Sequence, residues 1–257
     1  MRLPTPVLLG LIGTAFAVLI GLGVWQVQRN EWKQDLVAES HARTDAPPLD
    51  IVDASTSAPD EIEYHRVLIE GEPRFEDAMF LANRARSSVR GEEIVVPVQP
   101  PQGPAVLVNF GWIPDGARDE VMGELDASTT APIAGLAVDA SGRNGNQIPS
   151  GSWSNLDTEA MGEALGYPVA GWFVLAGEER DTEPSPSEEP PVAGWQRFHN
   201  TTPHVEYALT WFGLAAALVA VAVFRLVVAP RQEAARAASR SSEARAREAD
   251  DRPTTSS

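Results

Sequence analysis

The chain has 257 residues, a formal net charge of −16 and no cysteine. Its length is typical of one domain of moderate size with additional segments. The lack of cysteine excludes disulfides, cysteine nucleophiles and cysteine-ligated zinc or copper. The acidic charge argues against a nucleic acid as partner, because phosphate backbones bind basic surfaces.

The first predicted element is an apolar run over residues 7–27, after a short N-terminus of residues 1–6. Its length matches the roughly 20 residues that a membrane-spanning helix needs. A cleaved signal peptide is the alternative, but the run exceeds the roughly 7–15 apolar residues of such peptides and no small-residue cleavage site follows it. We therefore predict an uncleaved transmembrane helix in the lipid bilayer, with residues 1–6 in the cytoplasm.

Residues 28–206 form the predicted extramembrane domain, with a loop over residues 41–60. Alternating apolar and polar residues bounded by glycine and proline then predict short strands. These strands lie in residues 64–74, 78–86, 91–101, 104–116, 133–138 and 169–179. Pro97 predicts an edge or a bulge in the third of them.

One short helix is predicted before the last strand, with Asp157 as its N-cap and Gly166 closing it. A charged, proline-rich loop over residues 181–194 is predicted not to pack. The expected fold class is therefore α+β. Two transmembrane helices flank a mostly antiparallel, β-rich extramembrane domain with one short helix.

A second apolar run, residues 207–228, predicts a second transmembrane helix, and Arg225 near its end can reach the membrane interface. Residues 201–203 supply a threonine N-cap and a proline suited to the first helical position. Residues 229–257 alternate alanine with arginine and glutamate. They are predicted as a cytoplasmic tail, a frayed helix that passes into disorder.

The distribution of basic residues predicts the orientation. Residues 28–206 hold 31 acidic and 12 basic residues, whereas arginines concentrate after the second span. The positive-inside rule then places both termini in the cytoplasm, although Arg29 and Lys33 lie just outside the first span. We predict a multi-pass protein of the cell inner membrane with its domain on the periplasmic side.

Motifs for catalysis are missing from the sequence. It has no Gly-rich phosphate loop, no G-x-S-x-G and no H-E-x-x-H, and no two of its four histidines are four residues apart. The sequence therefore gives a catalytic function no positive support.

Small residues recur every fourth position in the first span, at Gly13, Ala17 and Gly21, a spacing typical of closely packed membrane helices. The same face continues with Trp25, Arg29 and Trp32. An aromatic membrane-interface anchor accounts for this stripe. A docking surface that faces the second helix is the alternative.

His204, Tyr207 and Trp211 share a face where the second span begins. A neutral imidazole there can be an axial ligand of haem iron, which makes His204 a candidate metal ligand. A structural histidine at the membrane surface is the other interpretation. If the two helices pair, these residues are expected to converge with those at the exit of the first span, in a site for a planar amphipathic ligand or a partner membrane protein. The exit residues are Trp25, Gln26, Gln28, Arg29 and Trp32.

Four stretches, in a fixed order, carry a resemblance to one family. They are GLGVWQVQRNEWK (21–33), VLVNFGWIPDG (106–116), WSNLDTEAMGEALG (153–166) and PHVEYALTWFGLA (203–215). With the two helices, they make residues 7–228 resemble the surfeit-locus-one proteins, assembly factors of cytochrome c oxidase. Phe110 departs from the arginine usual in that family, and residues 200–202 depart from its paired asparagines.

The resemblance implies a protein that is not an enzyme. It implies that the protein binds haem a through His204 and aids its insertion into the catalytic subunit of cytochrome c oxidase. The haem a donor machinery is then a further partner. A haem-free scaffold, which binds an oxidase subunit through its helix faces and the GWIP segment at 111–114, is the alternative. A periplasmic sensor or transporter accessory is a third class.

Overall fold

The computed structural model describes residues 4–183 and 185–250. The chain divides into two compact units. The helix unit comprises Met1–Gln34 and Thr201–Ser257, and the sheet unit comprises Asp35–Asn200. This division follows the predicted order of helix, domain, helix and tail.

Helices lie in both units. The α-helices of the described residues are α1 (Thr5–Asp45), α2 (Pro59–Ile62), α3 (Arg118–Ser128), α4 (Thr158–Leu165), α5 (His204–Val223) and α6 (Ala229–Asp250). The stretches Pro6–Asp45 and His204–Ser242 are long and apolar enough to cross a membrane, with mean hydropathies of 2.5 and 2.4. Both predicted spans are therefore helical.

Helix α1 continues well past the predicted span and includes residues 41–45, which were predicted as loop. No glycine or proline interrupts residues 24–46, and most of them are good helix formers. The helix ends just before Pro47, which has no N–H to donate. The structure thus corrects the loop predicted over residues 41–60: α1 covers its first five residues, and a short strand, Leu49–Ile51, and the start of α2 lie in the rest.

The C-terminal tail is helical as far as it is described. A π-helical turn, Phe224–Val228, leads into α6, which continues to Asp250. Alanine, arginine and glutamate all favour helix, which accounts for regular structure where the sequence predicted a frayed helix passing into disorder. The disorder predicted for residues 251–257 lies outside the described residues.

The sheet unit is built on one mixed sheet. Its strands are β1 (Leu49–Ile51), β2 (Arg66–Ile69), β3 (Glu72–Pro73), β4 (Met79–Leu81), β5 (Gly91–Gln99), β6 (Ala105–Pro114), β7 (Ile133–Asp139) and β8 (Val169–Ala176). The strand order is β1-β2-β7-β8-β6-β5-β3, and β4 also pairs with β5. All pairs are antiparallel except β1–β2 and β6–β8. The predicted α+β class, with a mostly antiparallel sheet, is confirmed.

Pro97 lies in β5 at the point where the neighbouring edge strand changes from β3 to β4. Its carbonyl accepts a hydrogen bond from the Arg74 N–H at 2.8 Å. The N–H and C=O of one residue point to the same side of an antiparallel strand, so the N–H that proline lacks would also face this interrupted edge. A register shift between Ile94 and Val95 forms an irregularity nearby. The strand tolerates proline here because no regular ladder partner faces it.

The sheet is buried on both faces. Val108 of β6 and Val121 of α3 belong to the cluster on one face, and Leu107 of β6 and Met161 of α4 belong to the cluster on the other. Phe110, which replaces the arginine usual in the resembled family, is also part of the first cluster. An apolar side chain at this position therefore contributes to the core.

The predicted short helix is α4, and its caps are confirmed. The Asp157 carboxylate accepts the Ala160 N–H at 3.0 Å, and Gly166 ends the helix with a left-handed φ of 78°. Helix α3 was not predicted. Its buried apolar residues are Val121 and Leu125, which is too weak a stripe to mark a helix from sequence.

Replacing Asp157 with alanine is expected to destabilise the sheet unit by about 1–2 kcal/mol, because an N-cap is lost. The same carboxylate also accepts the Gly145 N–H at 2.9 Å, so two backbone donors lose their acceptor. Urea unfolding of the full chain measures the loss. Asp157→Asn keeps an oxygen at the cap and is expected to retain most of the stability; an equal loss in both variants would contradict the capping role.

The proline-rich loop over residues 181–194 was predicted not to pack, and this prediction is wrong. Val192 is buried, and its backbone N–H and C=O pair with those of Trp112 at 2.8 and 3.1 Å. Gly111 permits this approach, since a Cβ there would lie 2.5 Å from the Val192 oxygen. An ion pair of 2.6 Å between Arg180 and Glu188 fastens the loop further.

The two ends of the sheet unit lie beside each other. Arg197 forms an ion pair with Asp45 at 2.7 Å and another with Glu179. These hydrogen bonds from the guanidinium hold the pKa of both carboxyls below the usual range. The His41 Nε2–H donates to the Phe198 carbonyl at 3.0 Å. The segments through which this unit continues into the rest of the chain therefore leave it at neighbouring points.

Candidate functional site in the helix pair

Helices α1 and α5 meet at two described contacts, the Phe212 ring against Gly23 and the hydrogen bond between Gln26 and His204. The residues buried on α5 recur at intervals of four and seven: His204, Ala208 and Ala215. Such intervals are typical of paired helices. On α1, Gly23 is buried, and a Cβ at this position would lie 2.5 Å from the Phe212 ring. Gly23 thus lets this ring rest on the backbone of α1.

The small-residue ladder predicted to meet α5 lies on the wrong face of α1. Gly13 and Gly21 have no atom within 4 Å of the Cβ that a side chain would add, and Ala17 is exposed. Gly23 is two residues beyond Gly21, which is about 200° around the helix. The contact therefore uses the glycine that the ladder left out.

The stripe of Trp25, Arg29 and Trp32 lies on the exposed side of α1. Trp25 is 54% and Trp32 is 48% exposed. The Arg29 guanidinium stacks on Trp32, 3.9 Å from its ring centroid. The structure therefore does not bring Trp25 or Arg29 to His204. The arrangement is typical of an aromatic anchor at a membrane interface.

His204 is hydrogen-bonded across the helix pair and only 8% exposed. Its Nδ1 lies 2.9 Å from Oε1 of Gln26. Because that oxygen can only accept, this contact is a hydrogen bond in the tautomer whose Nδ1 carries the proton. Nε2 is buried and has no hydrogen-bond partner in the part of the chain that the structure describes. A neutral imidazole with a free Nε2 lone pair is the form that binds haem iron, so this residue fits such a ligand.

The other two predicted site residues of α5 differ in their surroundings. Trp211 is half-buried, one helical turn beyond the buried Ala208, whereas Tyr207 is 51% exposed. The helix begins at His204, with Pro203 at the N-cap rather than the predicted threonine. The structure thus places His204 and Trp211 on the paired side of α5.

Gln26 was expected to lie near the second helix with the other residues at the exit of the first span, but it was not among the predicted cofactor-binding residues. It follows the conspicuous Trp25, and a polar residue at the end of a span is ordinary. Its signal is positional, because Gln26 lies three residues after Gly23 and therefore on the same side of α1. The sequence does not show which glycine faces α5, so it does not show that Gln26 faces α5 either.

Comparison with known proteins decides the family. The model of the SURF1 family matches residues 14–216, which include both Gln26 and His204. The chain belongs to the SURF1 family. The resemblance carried by the four sequence stretches is thereby confirmed.

Relatives in this family align with most of the length of this chain. Surfeit locus protein 1 of Mus musculus is 28% identical over 227 residues, covering 78% of this chain and 70% of its own length. The SURF1-like protein of Rickettsia conorii is 26% identical over 220 residues, covering 83% of this chain and 88% of its own. The SURF1-like protein of Dictyostelium discoideum is 23% identical over 243 residues, with coverages of 78% and 89%.

The Gly-Trp block of this SURF1 family chain is structural. Trp112 is 1% exposed and Ile113 is fully buried. The Trp112 indole N–H donates to the Arg84 carbonyl. The side chains of Trp112 and Ile113 are therefore part of the core of the sheet unit.

A partly buried ion pair supports the sheet unit. Glu92, with a side chain only 14% exposed, pairs with Arg118 and accepts a hydrogen bond from the Ser152 hydroxyl at 2.9 Å. Burial alone would raise the pKa of Glu92, but the bonds from Arg118 and Ser152 outweigh it and lower the pKa from 4.5. The carboxylate is thus held in its charged form.

The stability of the sheet unit is expected to fall with acidification partly through Glu92. Because its pKa is lower in the folded than in the unfolded chain, its contribution is complete above the unfolded pKa and is lost as the pH falls below it. In Glu92→Gln, the loss of stability between about pH 7 and about pH 4 is expected to be smaller than in the wild type. Urea midpoints at both pH values test this, and an identical loss in the two proteins would contradict it.

Proposed function

We propose that this chain is a membrane-anchored assembly factor for cytochrome c oxidase that holds haem a at His204 and aids its insertion into the catalytic subunit. The observation that carries the proposal is the buried Nε2 of His204, which has no hydrogen-bond partner among residues 4–183 and 185–250. A buried polar atom without a partner costs free energy, and a bound ligand that pairs with it removes this cost. An iron porphyrin takes an imidazole nitrogen as axial ligand.

The neighbouring residues have separable tasks in this proposal. Trp211, half-buried on the paired side of α5, offers an aromatic face beside the ligand, and exposed Tyr207 offers a polar edge. Trp25 and Arg29 keep α1 at the membrane interface. The arginine-rich tail favours a cytoplasmic C-terminus, so the sheet unit and this end of the helix pair belong to the periplasmic side.

A haem-free scaffold is the second candidate, and one observation favours it. The Nε2 atom is buried, so a haem reaches it only if side chains around it move. In the scaffold, the helix pair itself binds the catalytic subunit through its exposed faces. Both candidates need membrane anchoring and neither needs catalysis by this chain.

The absorption spectrum of the protein purified from cells that make haem a tests the proposal. Wild type is expected to carry haem a, and His204→Ala is expected to lose it. His199→Ala is the matched control, since His199 is exposed in the sheet unit and is expected to leave the spectrum unchanged. An unchanged haem a spectrum in His204→Ala would overturn the ligand assignment.

Deletion of the gene separates delivery from scaffolding. Delivery predicts that the catalytic subunit accumulates without haem a. Scaffolding predicts that the subunit itself is lost. Immunodetection of the subunit and haem extraction from the same membranes measure both quantities.

A further inference from the structure

The contact between Gln26 and His204 joins the two helices next to the unpartnered imidazole nitrogen. Gln26 Oε1 and His204 Nδ1 are 2.9 Å apart, and Gln26 is half-buried. We propose that Gln26 is the positioning residue of His204: its oxygen holds the Nδ1 proton and thereby presents Nε2 as the lone-pair nitrogen. Its consequence for iron binding rests on the function proposed above.

The tautomer follows from the surroundings of both ring nitrogens. If Nε2 carried the proton, a buried N–H would have no acceptor, and orphaned N–H groups of this kind are rare. With the proton on Nδ1, the N–H is satisfied by Gln26 and only a lone pair is left unpaired. The hydrogen bond therefore selects the tautomer that can ligate a metal through Nε2.

The hydrogen bond also fixes the plane of the ring. Gly23 lies one turn before Gln26 on α1, and the Phe212 ring lies against it. This packing limits rotation of α1 against α5, so the amide oxygen of Gln26 meets the imidazole at a set position. Partners of this kind, which orient a ligating histidine, typically contribute about 10- to 100-fold to metal affinity.

Nitrogen-15 NMR of the imidazoles in the haem-free full chain, in lipid nanodiscs, tests the tautomer without any haem. The signals of His204 are identified by their loss in His204→Ala. Wild type is expected to show a protonated Nδ1 and an unprotonated Nε2. Gln26→Met, of similar size but without the acceptor, is expected to mix the two tautomers. Gln28→Met, two residues along at an exposed position, is the control and should match wild type.

Haem a titration of the same proteins tests the consequence for iron. Gln26→Met is expected to bind haem a about 10- to 100-fold more weakly than wild type. Gln26→Glu, with a stronger acceptor, is expected to lower the reduction potential of the bound haem, and Gln26→Met to raise it. If Gln26 had only a structural role, the reduction potentials of Gln26→Glu, wild type and Gln26→Met would not rise in this order.

The outcomes distinguish this inference from the proposed function. Wild-type binding that is lost in His204→Ala but unchanged in Gln26→Met would overturn the role of Gln26 and leave haem binding standing. An unaltered tautomer in Gln26→Met would overturn it even if no protein bound haem. A wild type without haem affinity would overturn the proposed function, while the NMR result would still decide whether Gln26 sets the tautomer.

Discussion

Replacing Gly23 with leucine is expected to separate α1 from α5 and to lower haem a occupancy about tenfold or more. A Cβ at this position would already lie 2.5 Å from the Phe212 ring, so a leucine side chain cannot fit without displacing that ring. Overpacking of this kind costs about 1–3 kcal/mol, and 1.4 kcal/mol corresponds to a tenfold change in affinity. Gln26, one turn along α1, is expected to lose its bond to His204.

Gly21→Leu is the matched control, because nothing lies within 4 Å of its Cβ position. It adds the same apolar group to the same helix and is expected to leave haem a occupancy unchanged. The double variant Gly23→Leu/Phe212→Ala removes the obstructing ring and is expected to recover part of the occupancy. Equal effects of the Gly21 and Gly23 substitutions, measured by haem a absorbance per protein, would contradict the helix pairing described above.

Replacing Trp112 with alanine is expected to destabilise the sheet unit by about 3–5 kcal/mol, the range for removing a large buried aromatic side chain. The indole is 1% exposed and its N–H donates to the Arg84 carbonyl, so the variant loses packing and leaves an acceptor unpaired. Marginal stability makes such a loss a large fraction of the total. Urea unfolding of the full chain, followed by near-ultraviolet circular dichroism, measures it.

Two further substitutions serve as comparisons for Trp112→Ala, one conservative and one at an exposed position. Trp112→Phe keeps most of the ring and is expected to lose less stability than alanine. Val52→Ala, at a position that is 44% exposed, is expected to change stability by less than about 0.5 kcal/mol. A small effect of Trp112→Ala would mean that the Gly-Trp block serves contact with a partner rather than the core.

Much of the sheet follows from local patterns. Strand β6 is visible as a β-branched run ending at a turn, and α4 is visible because Asp157 and Gly166 mark its ends. The parallel pairing of β6 with β8 is not visible, because it joins segments far apart in sequence. Helix α3 escaped because its apolar stripe is too short, and the start of the loop after α1 was misplaced because helix propensity continues to Asp45.

The site was partly predictable for a different reason. Histidine at the start of a span is chemically conspicuous, so His204 is found without knowledge of the fold. Gln26 does not stand out from the other polar residues at the exit of the first span, because its importance depends on how α1 is rotated about its axis. The spacing of Gly13 and Gly21 suggested that one face of α1 meets α5. The contact of Gly23 with Phe212 shows that a different face does.

The most direct test of the central claim, that Nε2 of His204 ligates haem iron, is rescue of His204→Gly by free imidazole. The glycine variant removes the ligand and leaves space for imidazole beside Gln26. We expect the purified variant to lose the haem a spectrum of wild type and to regain it when imidazole is added with haem a. Retention of the wild-type spectrum by His204→Gly without imidazole would contradict the claim.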